Sequence, residues 1–254
     1  MEKWEHVARS FIDLCRFKKD IDAVFLTGSY VFGNADEFSD IDLYIVLSDD
    51  VTWRERGNKL IDGLRVEYFA NPMRQIKKYI DESYLNVRLI EINMILGGIV
   101  ILNKNSAAEV MIDYCKQKAM TGLPKMSEFN VKMGLYTLWD NYDELHRAYS
   151  KQAPDFVMQF FSFIQNAFEL YSRYICSPVP NYHKLYRWLA DDSYNKRYGL
   201  AVYNDPIFIE IIRSAFECDG NRAMLNLSKE IYTYIVGKIG GFNIDDFALH
   251  GPCD

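Results

Sequence analysis

The sequence predicts an α/β domain followed by an all-α helical bundle. Two observations carry this prediction. Short apolar runs of strand length recur in the N-terminal half, at IDAVFLTG (21–28), DIDLYIVL (40–47) and LRVEYFANP (64–72). After Ser106 these runs end, and apolar residues recur at helical spacing in long segments. The change of period along the chain therefore indicates two domains of different class.

The N-terminal elements follow from local patterns. Apolar residues from Trp4 to Lys19 recur at helical spacing, which predicts a first helix. Gly28-Ser29 ends the first strand and can open a short helix, whereas 48–63 is expected to be helical or irregular. The remaining segments before Ser106 predict helices over 73–80 and 86–96 and one more strand within 97–105.

The helical half has its own boundary signal. Thr121-Gly122-Leu123-Pro124 combines a glycine and a proline between periodic segments, so we expect domains at 1–122 and 123–254. The periodic segments predict helices at 106–119, 126–149, 154–175, 181–190, 205–218 and 221–238.

Composition narrows the class of partner. The net charge is −6 and the lysines and arginines are dispersed, which argues against a long nucleic acid as partner. No apolar run approaches the length of a membrane span, so no membrane association is expected. Five scattered cysteines without metal-ligand spacing are typical of free thiols in a reducing cytoplasm. A homodimer is compatible with the sequence.

Two carboxylates, Asp40 and Asp42, stand at the start of the second strand. Residues i and i+2 of a strand point to the same face, so both acids share a side. Carboxylates that close repel each other unless a cation lies between them, and oxygen ligands suit Mg²⁺ together with substrate phosphates. Gly28-Ser29 adds backbone amides that can contact an anion. The pattern predicts a triphosphate and its metal side by side.

A third carboxylate is expected from a neighbouring strand. Glu67 is the preferred candidate because it lies at the centre of the third strand, whereas Asp62 lies in the Asp-Gly turn before it. An isolated Asp-x-Asp at a strand start is more often a solvated turn than a metal site. The conjunction with Gly28-Ser29 and a strand-centred Glu67 favours the metal site.

These residues resemble the nucleotidyltransferase superfamily that includes DNA polymerase beta, and they look most like the bacterial aminoglycoside and lincosamide nucleotidyltransferases. The resemblance covers about residues 20–70. It implies an α/β domain with a short mixed sheet, two Mg²⁺ ions, and transfer of a nucleoside monophosphate from ATP or another nucleoside triphosphate. The roles that it implies are metal ligation and catalysis by Asp40, Asp42 and Glu67, and nucleotide binding by Gly28, Ser29 and Ser39.

The helical half offers weaker candidates. It looks like the C-terminal bundles of the aminoglycoside enzymes, where an acidic pocket would bind the acceptor. Lys184 resembles a phosphate-binding lysine of adenylyltransferases, while His183 is expected to be structural, and Arg65 and Lys59 are further candidates for the triphosphate. The acids that could line the pocket, or else form a solvated helix face, are Asp140, Asp143, Glu144 and Glu169.

The sequence therefore predicts a Mg²⁺-dependent nucleotidyltransferase that acts on a hydroxyl of a small molecule, such as an aminoglycoside or a lincosamide antibiotic. The alternative is a minimal nucleotidyltransferase that modifies a protein or a tRNA in a toxin–antitoxin or regulatory system. A nucleotide-binding module without catalysis is disfavoured by the complete set of three acids, and a tRNA-terminal or poly(A) polymerase is disfavoured by length and charge.

Overall fold

The computed structural model describes residues 2–197 and 203–250. The chain divides into two compact units, one of Met1–Gly122 with Asn195–Leu200 and the other of Leu123–Tyr194 with Ala201–Asp254. Among the described helices, none combines the length and the apolar character that a bilayer span requires.

Between residues 2 and 122, the described part of the first unit contains a five-stranded sheet and four α-helices. The elements in chain order are α1 (Lys3–Leu14), β1 (Ile21–Thr27), β2 (Ile41–Leu47), β3 (Glu55–Ile61), β4 (Leu64–Pro72), α2 (Met73–Leu85), α3 (Ile90–Gly97), β5 (Ile99–Asn103) and α4 (Ala107–Met120). The strands lie side by side in the order β3-β4-β2-β1-β5, and β2 pairs with β4 in parallel while the other pairs are antiparallel. The predicted mixed sheet is thereby confirmed.

Side chains of the central strands are buried on both faces of the sheet. On one face α1 packs its buried stripe, including Val7 and Phe11, against Leu26 and Leu43. On the other face α2, α3 and α4 contact the strands. Because β1 and β2 are covered on both sides, they read as nearly continuous apolar runs, and this makes them easy to find in the sequence.

The prediction that 48–63 is helical or irregular is wrong, because β3 lies within it. This strand forms an edge of the sheet, and most of its side chains are exposed. Its sequence, ERGNKLI, therefore lacks the apolar alternation of a half-buried strand. A second difference concerns Gly28-Ser29, which open a hydrogen-bonded turn rather than a helix.

The second unit is helical. Its core contains α5, α6 and α10, which pack against one another, and large buried side chains such as Phe163, Phe168 and Tyr171. The predicted helix at 181–190 is interrupted, since Tyr182–Lys184 form a 3-10 turn before the next helix begins. The helices after Leu123 are α5 (Glu128–Ser150), α6 (Phe156–Tyr174), α7 (Leu185–Ala190), α8 (Asp192–Arg197), α9 (Pro206–Ser214) and α10 (Asn221–Ile239).

Candidate active site

The first unit brings two of the predicted acids together at the parallel pair β2/β4. Asp42 of β2 is the direct register partner of Glu67 of β4. Neighbouring strands lie about 4.8 Å apart, so the two side chains leave the sheet from adjacent backbone positions. Asp40 immediately precedes β2, whose first residue, Ile41, pairs with Val66. The sheet therefore places Asp40 and Asp42 at the start of β2 and Glu67 beside Asp42 on the neighbouring strand β4.

Alternation along the strands sends these acids away from the α1 face. Ile41, Leu43 and Val66 are fully buried in the core cluster that α1 covers. Residues i±1 point to the opposite face, so Asp42 and Glu67 share the face that carries α2, α3 and α4. The side chain of Glu67 is 20% exposed and that of Asp40 23% exposed, so both carboxylates are sheltered but accessible.

Gly28 lies directly against the Asp42 carboxylate. It follows Thr27, the register partner of Asp42, and has a φ of +77°. A Cβ atom at Gly28 would lie 2.0 Å from Oδ2 of Asp42. The turn is held by backbone hydrogen bonds from Val31 N to Gly28 O (3.2 Å) and from Asn34 N to Ser29 O (3.1 Å). Glycine is required here because of both the backbone conformation and the contact.

Two arginines contact the acids. The Arg65 guanidinium donates to the Asp40 carboxylate, and this bond raises the pKa of Arg65 above its ordinary value. Arg56 of β3 donates to Oε1 of Glu67 at 2.8 Å and lies 4.5 Å from the ring centroid of Phe69. Both contacts are charge-assisted hydrogen bonds.

Sequence reasoning missed Arg56 because it missed β3. The available signal was Asp62-Gly63, which joins β3 and β4 and whose residues both have positive φ, +49° and +80°. An Asp-Gly pair between two strand-length segments is typical of a two-residue hairpin turn. Reading it as a hairpin would have placed Arg56 one strand away from Glu67.

The other predicted residues of the first unit take different positions. Asp62 lies in the hairpin turn, and Glu67 is the acid that the register brings to Asp42. Lys59 pairs with Val66 and so points to the face opposite Glu67. Ser39 bonds within its own loop, since its hydroxyl donates to Oδ1 of Asp36 (2.9 Å) and accepts from the Asp36 amide (2.8 Å).

The donor set fits a divalent metal by its chemistry. Three carboxylates on the neighbouring strands β2 and β4, beside a glycine turn, match the oxygen ligands and phosphate partners that Mg²⁺ prefers. Within the part of the chain that the structure describes, no group of three or more His, Cys, Asp or Glu side chains converges closely enough to hold a metal ion. The physical reason is visible at Asp40 and Glu67, whose carboxylates are turned to arginines.

The candidates of the second unit separate into two groups. Asp143 and Glu144 pair with Arg147 on the surface of α5, and Asp140 is exposed. Glu169 instead lines a cleft of about 260 Å³ between α5 and α6 and accepts a hydrogen bond from the Tyr182 hydroxyl (2.6 Å). The remaining lining residues are Met126, Asn130, Met133, Gly134, Thr137, Leu138, Asn166, Leu170 and Arg173.

Lys184 lies in the second unit. It is exposed and ends the 3-10 turn Tyr182–Lys184, which the Asn181 side chain caps by accepting from the His183 amide (3.1 Å). Its assignment as a phosphate contact stays a prediction.

Comparisons with known proteins concern mainly the first unit. Residues 8–95 match the family model of the nucleotidyltransferase domain. A solved structure of a nucleotidyltransferase-like protein from Exiguobacterium sibiricum is similar with a TM-score of 0.46 and 12% sequence identity, over 92% of this chain and 77% of that chain. Among curated proteins, none matches the sequence. The matched range contains the Gly28 turn, both aspartates and Glu67, and their roles stay predictions, as does the likeness to antibiotic-modifying enzymes.

Proposed function

We propose, from the match of residues 8–95 to the nucleotidyltransferase domain model, that the protein moves a nucleoside monophosphate from ATP or another nucleoside triphosphate to a hydroxyl of a small molecule. The observation that carries the proposal is the register pair of Asp42 and Glu67 beside the Gly28 turn. A purely structural pair of strands has no need for two acids at paired positions, one of them packed against a glycine that no other residue can replace.

Each residue of the site has a role in this reaction. Asp40, Asp42 and Glu67 would hold two Mg²⁺ ions, which activate the acceptor hydroxyl and neutralise the leaving phosphates. The turn amides at Gly28 and Ser29 would bind the β- and γ-phosphates. The hydroxyl oxygen forms a bond to the α-phosphorus and gives its proton to solvent water, while the bond from that phosphorus to the oxygen bridging the α- and β-phosphates breaks and pyrophosphate leaves. Positioning in line with the leaving group supplies much of the rate.

The cleft between α5 and α6 is our candidate for the acceptor site. Its lining combines one carboxylate, Glu169, one guanidinium, Arg173, and the side-chain amides of Asn130 and Asn166. The Arg173 side chain lines the cleft and carries guanidinium N–H groups, which are the donors that an oxygen of a ligand would need. A balanced charge of this kind favours a neutral or singly charged polyol, such as a lincosamide, over an aminoglycoside with several amines.

The test is Mg²⁺-dependent release of pyrophosphate from each of the four ribonucleoside triphosphates, across a panel of lincosamides and aminoglycosides. Asp42→Asn keeps the shape of the side chain and removes a metal ligand, so we expect its release rate to fall by about 10³-fold or more. Asp143→Asn, on the exposed surface of α5, is the matched control and should retain the wild-type rate.

The outcomes separate the competing functions. Release with one antibiotic class, lost in Asp42→Asn, establishes the reaction and the acceptor and supports a role in antibiotic resistance. Binding of Mg²⁺·ATP without release across the panel would contradict the small-molecule proposal and direct the search to protein or tRNA acceptors. Equal release by Asp42→Asn and wild type would contradict the assigned site.

A further inference from the structure

Both outer acids of the site are engaged by guanidinium groups. Asp40 accepts from Arg65, and Glu67 accepts from Arg56 at 2.8 Å. Arg65 and Glu67 are two residues apart on β4, so they project from the same face. On β3, Arg56 is the register partner of Phe69, which carries it to that face as well. The β3–β4 hairpin thus presents two cations among the three acids.

The two arginines differ in how firmly they are held. The Arg56 guanidinium also lies over the Phe69 ring, at 4.5 Å from its centroid, which adds a cation–π contact. Exposure does not distinguish the two, since Arg65 is 57% and Arg56 68% exposed, and the contact that the described structure gives Arg65 is its ion pair with Asp40. Of the two, Arg65 can leave its carboxylate with less rearrangement.

A bare divalent cation meets an unfavourable site. To bind, it must displace Arg65 from Asp40 and remain close to the displaced charge, and like charges a few ångströms apart repel strongly in a partly sheltered site. A nucleoside triphosphate makes metal binding more favourable, because its phosphate oxygens can replace the carboxylates as acceptors of hydrogen bonds from the two guanidinium groups. The metal and the nucleotide together can therefore release the carboxylates from the arginines, whereas the metal alone cannot.

We propose that Arg65 and Arg56 block the metal site of the nucleotide-free enzyme and exchange their carboxylates for triphosphate oxygens when a metal–nucleotide complex binds. This inference rests on the proposed function. It assigns the arginines as triphosphate-binding residues and makes metal binding and nucleotide binding positively coupled. By linkage, the metal strengthens nucleotide binding by the same factor as the nucleotide strengthens metal binding.

The test measures binding of Mn²⁺ to the full chain, by the electron paramagnetic resonance signal of the free ion. The titration is made without nucleotide and with an ATP analogue whose α–β bridge is a methylene group. We expect Arg65→Gln to tighten Mn²⁺ binding about tenfold without nucleotide and to weaken binding of the metal–analogue complex, so that the coupling falls. Arg147→Gln is the matched control, since Arg147 is 59% exposed and pairs with two acids on α5, and it should leave both affinities unchanged.

Two other results would contradict either the blocking role of the arginines or the metal site itself. If Arg65→Gln and Arg56→Gln both leave nucleotide-free Mn²⁺ binding unchanged while the metal–analogue complex binds normally, the blocking role is wrong and the proposed function stands. If Mn²⁺ fails to bind to any variant, with or without the analogue, the metal site and the proposed function fail with it. Thermal unfolding of each variant verifies that it is folded. If Arg65→Gln is not folded, the same measurements are made on Arg56→Gln.

Discussion

At the scale of single residues, Gly28 shows how a backbone position determines the geometry of the site. Its φ of +77° is strained for any residue with a Cβ atom, and that atom would lie 2.0 Å from Oδ2 of Asp42. Gly63 has a nearly identical φ of +80° but nothing within 4 Å of its own hypothetical Cβ. Comparing substitutions at the two glycines therefore distinguishes the effect of backbone strain from the effect of displacing the Asp42 carboxylate.

We predict that Gly28→Ala abolishes binding of the metal–nucleotide complex, whereas Gly63→Ala preserves it. Each substitution should lower the free energy of unfolding by about 1 kcal/mol because of the strained φ, and Gly28→Ala by more because of the clash. The measurements are urea unfolding and Mn²⁺ binding with the methylene ATP analogue. Normal binding by Gly28→Ala would show that the Asp42 carboxylate can move aside without loss.

At the scale of elements, the N-terminus of α9 is held by Asp205. Its Oδ1 accepts from the amides of Ile207 (3.1 Å) and Phe208 (3.2 Å), and its Oδ2 accepts from the hydroxyls of Tyr171 (2.6 Å) and Tyr234 (2.8 Å). Burial by itself raises the pKa of Asp205, but the hydrogen bonds, first that from Tyr171 and then that from Tyr234, outweigh it and leave the pKa lowered. One carboxylate thus joins α6, α9 and α10.

The pKa shift gives a pH dependence of stability. Because the folded pKa of Asp205 is lowered, its contribution is full above the pKa of the unfolded chain, about 3.9, and is lost as the pH falls through the folded value. We predict that Asp205→Asn lowers the free energy of unfolding at pH 7 by about 1–3 kcal/mol, and that the difference from wild type shrinks below about pH 4. Urea unfolding at several pH values measures this.

Asp155→Asn is the matched control for that series. Asp155 occupies the N-cap position of α6, but its side chain makes no capping bond and instead accepts from the Gln159 side chain (2.9 Å) at the surface. Its replacement should change the free energy of unfolding by less than about 0.5 kcal/mol at every pH. A pH-independent loss in Asp205→Asn would show that packing around the side chain matters more than its charge.

Elements also show where sequence reasoning succeeds and where it fails. The buried strands β1 and β2 were predictable because continuous apolar runs mark strands covered on both faces, and β4 was predictable because Leu64, Val66 and Tyr68 alternate with polar residues. The edge strand β3 carries no such mark, since its stability comes from pairing with β4 rather than from burial of its own side chains. Because β3 was not predicted, Arg56 and its ion pair with Glu67 were not predicted either.

At the scale of the whole molecule, the predictable part of the site is that which lies on the sheet. Asp42 and Glu67 could be placed on strands by alternation, but their direct register pairing depends on how β2 and β4 align, which no local pattern specifies. The same limit applies to the helical unit. Four acids on two helices looked equivalent in the sequence, and only packing distinguishes Glu169, in a cleft, from Asp143 and Glu144, on a surface.

The position of Glu169 in a cleft predicts that the helical unit binds the acceptor while the first unit binds the nucleotide. If the cleft between α5 and α6 binds the acceptor, Glu169→Gln should raise the acceptor KM about tenfold, because a charged hydrogen bond to the ligand is worth about 1.5–3 kcal/mol. The KM for the nucleotide should not change, since the acids that would bind it belong to the first unit. A glutamine keeps an oxygen that can accept from the Tyr182 hydroxyl, so the local structure should persist.

Glu144→Gln makes the same chemical change on the exposed surface of α5 and should leave both KM values at their wild-type level. Steady-state kinetics with each substrate varied in turn measures the two constants separately. A higher nucleotide KM with an unchanged acceptor KM in Glu169→Gln would exclude the cleft as the acceptor site, because the residue would then act on the nucleotide. Equal effects of Glu169→Gln and Glu144→Gln on the acceptor would instead indicate attraction by the overall charge of the helical unit, which salt would screen.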